Sequence, residues 1–521
     1  MRKILYLALS FAFACNSSQK ATTPSKEAPS YDPVPYAKII TEQDLKDHLY
    51  TYASDEFEGR ETGKPGQKKA VEYLKNHYVE LGISAAQKNG NYFQEVPLEI
   101  SGMPEGTLSV NGKKFAMGED FVTFQSPPKD QYKAEEIIFA GYGIEDAGYS
   151  DFKDLDVKGK IILTLVSEPK NADGTYVISG TTSASKWSDI KISMPDRLDI
   201  AAKKGAKGVL MLDSRNYPMI AGQFQFMKER AGSGRMQLKG GNDDDFFFAF
   251  INDNVARQIS PDLEKIKNGT AIDADFDLEF TGKAEEVISE NVVAFIKGSE
   301  KPDEYLVISS HLDHIGISED GQINNGADDD GSGTVALLEI AKAFKKAADA
   351  GVTPKRSVVF LHVTGEEKGL LGSDYYTRHP IFPLENTVAD LNIDMIGRID
   401  PEREGDRNYV YLIGSDKLST ELHNLSEEVN KKYCNVELDY TYNDDNDPNR
   451  FYYRSDHYNF AKNNIPVIFY FNGTHEDYHK PGDTPDKINY DLLENRTRLV
   501  FYTAWEIANR ENRPVVDKAT E

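Results

Sequence analysis

With 521 residues and a formal net charge of −25, the chain is too long for one ordinary hydrophobic core and carries no basic footprint. Two domains are expected, and nucleic acid and anionic membrane surfaces are excluded as direct partners, because both need clustered cations. Its two cysteines, Cys15 and Cys434, allow no disulfide framework in the mature chain and no thiolate zinc site, so a bound metal must be held by histidine and carboxylate.

The N-terminus reads as an export signal. Arg2 and Lys3 precede an apolar run from Ile4 to Ala14, which ends Ala12-Phe-Ala-Cys15. The run is shorter than the roughly 20 apolar residues of a spanning helix, so residues 1–14 are assigned as a signal peptide. Cys15 resembles the lipidated cysteine of bacterial lipoproteins, although Ala12 and Phe13 depart from the usual box. That resemblance implies a protein exported to the cell envelope and membrane-anchored only through lipid at Cys15. Residues 15–39, rich in Ser, Thr, Pro and Lys as far as Pro35, are expected to form a flexible tether.

Thr41 with Asp44 predicts a helix cap and a helix to about Ala53. A turn-rich loop, 54–66, leads into a second helix, Gln67 to Leu81, with Ala70, Val71, Leu74 and Leu81 near one face. After Tyr92 the pattern changes to short β-type runs, and Leu108 to Phe115, with Asn111-Gly112 between, reads as a hairpin. Residues 131–283 are set apart as a smaller β-rich insert. Its compact strands are predicted at Ile137–Tyr142, Gly159–Leu165 and Gly208–Leu212, and no histidine occurs between His77 and His311. A structural or substrate-shaping role is expected for it. Residues 40–130 and 284–512 then form one discontinuous catalytic domain, followed by a tail, 513–521.

From Glu290 onward apolar strands alternate with helices. Strands are predicted at Glu290–Ile296, Leu306–Ser309, Val358–His362, Asn392–Met395 and Pro466–Phe471, and helices at Thr334–Ala347 and Ser419–Tyr433. This is an α/β pattern: a mixed, mostly parallel sheet with helices on both faces. Ligands of such sheets gather at the carboxyl ends of the strands, and the polar clusters of this chain sit there. His311 ends one strand, with Asp313 placed to fix its tautomer. Asp328-Asp329-Asp330 lies in a glycine loop before a helix; a helix cap accounts for one aspartate, not three. Glu366 and Glu367 follow the next strand, and adjacent residues point differently, so one can ligate while the other acts as a base. Asp394 ends an apolar strand, where an unpaired carboxylate is costly. His479 completes the set. Two histidines and three carboxylates suit two divalent ions, zinc first, sharing one bridging carboxylate.

These motifs, His311-Leu-Asp313, Gly326-Ala-Asp-Asp329, Gly365-Glu-Glu367, Asn392-Ile-Asp394, Ser455-Asp-His457 and Tyr478-His479, occur in the order found in the co-catalytic zinc aminopeptidases. The sequence resembles that family, which includes bacterial leucyl aminopeptidase, aminopeptidase Y and glutamate carboxypeptidase II. Residues 131–283 resemble its protease-associated insert. The resemblance implies a zinc exopeptidase fold and a metalloprotease, a hydrolase of peptide substrates that removes N-terminal residues with a water activated by two metal ions. It implies that Asp329 bridges the ions, with a cis peptide after it. His311 and Asp394 complete one site, and Glu367 and His479 the other. Glu366 is the implied general base and Asp313 orients His311. Tyr452 and Tyr478 both resemble tyrosines that polarise the substrate carbonyl and bind substrate.

Asp328 and Asp330 are read as loop architecture, and Asp456 and His457 as structural or pocket-forming. His48, His77, His314, His362, His379, His423 and His475 are given no role in the site, and Arg398 is read as an internal salt bridge. Three other functions fit related architectures: a carboxypeptidase, a one-zinc glutaminyl cyclase, and a non-catalytic binding protein like the transferrin receptors. The complete ligand set disfavours the last two.

Overall fold

Alternation along a single strand shows how the larger unit is assembled. Leu306 and Ile308 pack with one set of helices, while Tyr305 and Val307 pack with another on the opposite face. On the first face lie the helices Glu42–Tyr52, Pro65–Leu81, Gly333–Asp349 and Tyr490–Asn509, through Leu49, Leu74, Leu338 and Trp505 among others. On the second lie Leu371–Arg378 and His457–Ala461, through Tyr376 and Phe460. Each fully buried leucine or isoleucine here contributes about 1.5–3 kcal/mol relative to exposure. The computed structural model describes residues 31–124, 129–146, 148–230, 234–239, 246–282 and 284–518. The expected signal peptide, Cys15 and residues 15–30 of the expected tether lie outside them. Among the described residues no helix is long and apolar enough to cross a membrane.

The larger sheet has ten strands. Its centre is parallel: Arg356–Val363, Lys301–His311, Thr387–Ile393 and Val467–Phe471 run side by side in that order. Its flanks are antiparallel, with Ala284–Ile296 against Arg356–Val363 on one side and Tyr409–Ile413 against Val467–Phe471 on the other. The expected mixed sheet is therefore present, and its parallel part is the centre. The four central strands end together, which brings His311, Glu366, Asp394 and the 474–479 loop to one edge. Thr41 caps the Glu42–Tyr52 helix by accepting from the Asp44 N–H at 3.1 Å, as its sequence predicts.

The insert is larger than expected. Its eight-stranded sheet includes Gly106–Val110, Lys113–Ala116 and Phe121–Val122, which the sequence had assigned to the catalytic part. The hairpin is real, but Leu108 and Val110 face Phe276 and Leu278 of the smaller core. Alternation shows that a hairpin has a buried face without showing which sheet covers it. Conversely, Arg235–Leu238 leaves the insert and pairs with Phe93–Ser101 of the larger sheet. The tether is also shorter than expected: Val34–Ala37 is helical, Ala37 and Ile40 are buried, and Trp505 donates to the Tyr31 carbonyl at 2.9 Å. Composition averaged these few apolar anchors into a polar stretch. The described part of the tail, 513–518, is fastened too, with Arg513 donating to the Thr387 carbonyl at 2.8 Å.

Candidate metal centre

His311 ends its strand with the ring fully buried, Nε2 lying 3.2 Å from Asp329 Oδ1 and 3.6 Å from Asp394 Oδ1. Burial pulls its pKa down, but Asp394, Glu366 and Asp329 outweigh that and hold it well above the usual value. His479 stands on the other side. Its Nε2 is 3.1 Å from Asp329 Oδ2 and 3.1 Å from Glu367 Oε2. Burial opposes its protonation, yet these two carboxylates raise its pKa to about 10. Asp329 thus offers one oxygen to each group.

The aspartate triplet divides its work. Asp330 accepts from the backbone N–H groups of His311, Gly333 and Met395. Asp328 accepts from Gly397 N–H and faces His475 Nε2 at 3.2 Å. Asp483, which no motif of the sequence singles out, accepts the N–H groups of both Asp328 and Asp329 at 2.9–3.1 Å. Its neighbours turn the loop so that Asp329 alone faces the cluster, and the peptide after Asp329 is cis, as the resemblance implies. Asp394 is steered by Ser455, whose Oγ donates to its Oδ2 at 2.6 Å, leaving Oδ1 toward His311.

Two ligand atoms on one tetrahedral zinc with arms of 2.0–2.1 Å stand about 3.3 Å apart. The spacings of 3.1–3.6 Å fit that edge length in both groups. Asp329 Oδ2 is moreover buried without a well-aligned hydrogen bond, a costly condition that a cation relieves. The donor set is nitrogen and carboxylate oxygen, which suits zinc. His311, Asp329, Glu367, Asp394 and His479 therefore meet in one place, with a donor set and spacings that a zinc ion would fit.

Glu366 stands beside this set, 4.0 Å from His311 Nε2, with its pKa raised well above the carboxylate range by burial and by the charges of Glu367, Asp394 and Asp456, against the opposing pull of His311. It lines a cleft with Asp329, Asp394, Phe469, Phe471 and Tyr478. Tyr478 stacks on His479 at 3.9 Å. Tyr452 does not reach the cleft lining; it packs edge-on against His457 and Tyr458, so of the two tyrosines only Tyr478 is at the site. Asp313 is also placed differently from expectation. Its peptide oxygen, not its carboxylate, is the close partner of His311 Nδ1, at 3.1 Å against 4.0 Å. The carboxylate instead accepts from Thr62 Oγ1 and from the Glu366 N–H, which holds the loop carrying the expected base.

His314 was missed. It is fully buried, with Nδ1 2.8 Å from Glu367 Oε1 and 3.8 Å from Asp329 Oδ2. The signal was its place one residue after Asp313, in a loop already marked as ligand-rich. Of the other residues set aside, His457 stacks on Phe469 and is held neutral by burial, with a pKa of about 3. Arg398 pairs with Asp477 at 3.2 Å inside the fold. His48, His77 and Glu339 approach one another elsewhere, but Lys342 spans both Glu339 oxygens at 3.0 and 3.2 Å and already neutralises that carboxylate.

A buried nitrogen and carboxylate cluster at the ends of a parallel sheet, with a spare glutamate over it, defines a metal-dependent hydrolase. Residues 291–504 match the model of peptidase family M28. A probable leucine aminopeptidase 2 of Aspergillus oryzae is 24% identical over 90% of this chain and 83% of its own length. A probable glutamate carboxypeptidase of Arabidopsis thaliana is 33% identical, over 22% of this chain and 16% of its own length. Among solved structures, a zinc aminopeptidase from Bacillus subtilis aligns with 92% of this chain and 98% of that one, at 18% identity and a TM-score of 0.47.

Proposed function

We propose that the chain is an exported aminopeptidase that removes N-terminal residues from peptides with a water activated between two zinc ions. The observation that supports this most is the division of Asp329, with Oδ1 toward His311 and Oδ2 toward His479. His311 and Asp394 would hold one ion, Glu367 and His479 the other, and Asp329 both. Bound zinc supplies the Lewis acidity that makes a water nucleophilic at neutral pH and polarises a carbonyl. The chain's own residues do the rest. Glu366, which lines the cleft beside the ligand set, is in a position to accept a proton from that water and return it to the leaving amine. The Tyr478 hydroxyl stands at the cleft to donate to the substrate carbonyl oxygen. Phe451, Phe469 and Phe471 give the cleft an apolar wall for a side chain, and its carboxylates favour a free α-ammonium group.

One observation favours a carboxypeptidase instead. Arg454 also lines the cleft, its guanidinium lying over the Phe451 ring at 4.8 Å, and it makes no ion pair among the described residues. It is a ready partner for a substrate carboxylate. Hydrolysis of free, N-acetylated and C-amidated peptides by the zinc-loaded chain decides between the two. The aminopeptidase reading expects acetylation to abolish turnover and amidation to leave it; the reverse pattern replaces it with the carboxypeptidase.

Export and anchoring rest on the signal-like residues 1–14 and on Cys15. Metabolic labelling with a fatty acid is expected to mark the natural chain and not Cys15→Ser, and labelling of that variant would refute the anchor. The insert is assigned, on sequence resemblance, to the protease-associated type.

A further inference from the structure

We propose that His314 is a positioning residue for the second ion: its Nδ1 holds the buried oxygen of Glu367, Oε1, and so leaves Oε2 for the cation shared with Asp329 and His479. This rests on the two-zinc reading and adds to it a residue outside the expected ligand set. The two oxygens of Glu367 are already divided, Oε2 at 3.1 Å from His479 and Oε1 at 2.8 Å from His314. Two ligands of one tetrahedral zinc stand about 3.3 Å apart. The His314 contact is shorter than that, and it falls on the Glu367 oxygen other than the one nearest His479. It has the length of a donor to the carboxylate, although it lies off the ideal hydrogen-bond line and His314, Asp329 and Glu367 also stand close enough together to share an ion.

The ring has little room to do anything else. The His314 N–H donates to the Arg60 carbonyl at 3.2 Å, and residues 61 and 314 form a β-bridge. On the other side the loop backbone at Gly326, with φ of +54°, lies directly on the ring: a Cβ there would come within 2.6 Å of its Cγ and Cδ2. The His479 ring meets it nearly edge-on at 5.8 Å. His314 is fully buried while the His479 side chain is 38% exposed, so the rigid histidine fixes the carboxylate and the more exposed one closes the site. Partners of a ligating carboxylate commonly change metal affinity by about 10–100-fold when removed.

The geometry of the donor gives the test. The amide nitrogen of asparagine reaches nearly the place of Nδ1, whereas that of glutamine reaches toward Nε2. Zinc-loaded wild type, His314→Asn, His314→Gln and His314→Leu are titrated with chelators of graded strength, and the zinc remaining is counted. His314→Gln and His314→Leu are expected to lose one of two ions about 10–100-fold more easily, while the other ion and all of the His314→Asn profile stay near wild type. Unchanged affinities in both Gln and Leu variants overturn the proposal, and so does equal weakening in all three, which is the signature of packing alone. A wild type that holds fewer than two ions overturns the two-zinc reading itself. Should His314→Leu not fold, the Asn and Gln pair carries the comparison.

Discussion

Buried charge in the insert is closed on itself. Arg197 donates to the carbonyls of Tyr142, Ser167 and Trp187, and Asp151 accepts from Tyr142 N–H, Ile144 N–H and Tyr149 Oη. Glu168 takes Ser185 N–H with the hydroxyls of Ser185 and Ser188. At the ends of the larger sheet, by contrast, Asp329 Oδ2 is buried without a well-aligned hydrogen bond, and carboxylates stand against carboxylates. The lesson is that burial of charge does not by itself mark function. The charges of the insert, with their hydrogen bonds complete, serve the fold, whereas carboxylates buried against one another beside two histidines mark a place for a cation.

The comparison breaks first at Glu366, where the largest effect is expected. Glu366→Gln should keep its zinc and its melting temperature while kcat falls by about 10²–10⁴-fold, the usual worth of a positioned general base. Metal analysis beside steady-state kinetics measures both. Full turnover in this variant would mean that the proton is carried by another group. In the insert the expectation is inverted. Arg197→Met strands three carbonyls and should cost about 3 kcal/mol of stability, given that hydrogen bonds to charged groups are worth about 1.5–3 kcal/mol. Denaturant unfolding reads that loss, while zinc content and kcat per folded molecule should not move. A fall in kcat would show that the insert shapes the active site after all.

Asp483 tests the boundary between the two kinds of charge, because its hydrogen bonds are complete yet it faces the bridging loop. Burial and Asp328 raise its pKa to about 6, against the pull of His475 and the backbone donors. Asp483→Asn sets an amide against the N–H groups of Asp328 and Asp329. It should cost about 1–3 kcal/mol and weaken both ions together, which distinguishes it from the loss of one ion expected at His314. Zinc retained at wild-type affinity in a destabilised Asp483→Asn chain would place this residue with the insert's charges, as fold alone.

The division also explains what the sequence could tell. His311, Asp329, Glu367, Asp394 and His479 were legible because each follows an apolar strand, and the parallel centre of the sheet must bring such positions to one edge. His314 was not, since a histidine three residues beyond another has no periodicity that separates ring against ligand from ring against core. Tyr452 and Tyr478 carry equal signals in sequence, and only the packing of Tyr452 on His457 removes it from the cleft. For Asp313 the sequence identified the right residue and the wrong atoms. The boundary of the insert failed for another reason: Arg235–Leu238 and the 106–116 hairpin each pair across the expected border, and strand pairing between distant segments leaves no local trace.

The smallest of the expected effects lies between the two regions' logic, at a buried base that burial keeps neutral. His362 is fully buried, its Nε2 2.7 Å from Tyr78 Oη and its Nδ1 3.1 Å from Ser310 Oγ, and burial pushes its pKa down to about 3. The unfolded chain binds a proton there near pH 6.5, whereas the folded chain refuses it until about pH 3. Between those values the unfolded state holds more protons, so stability falls as pH drops, by about 1.4 kcal/mol per unit for this one group. Above pH 6.5 its contribution is complete and constant. Denaturant unfolding of the wild type and His362→Gln between pH 7.5 and 5 isolates the term, since glutamine keeps polar contacts with Tyr78 and Ser310 but takes up no proton. The variant should lose stability less steeply by that amount. Parallel slopes would mean that the folded chain admits the proton, and that this histidine belongs with the open charges of the metal centre instead of the closed ones of the core.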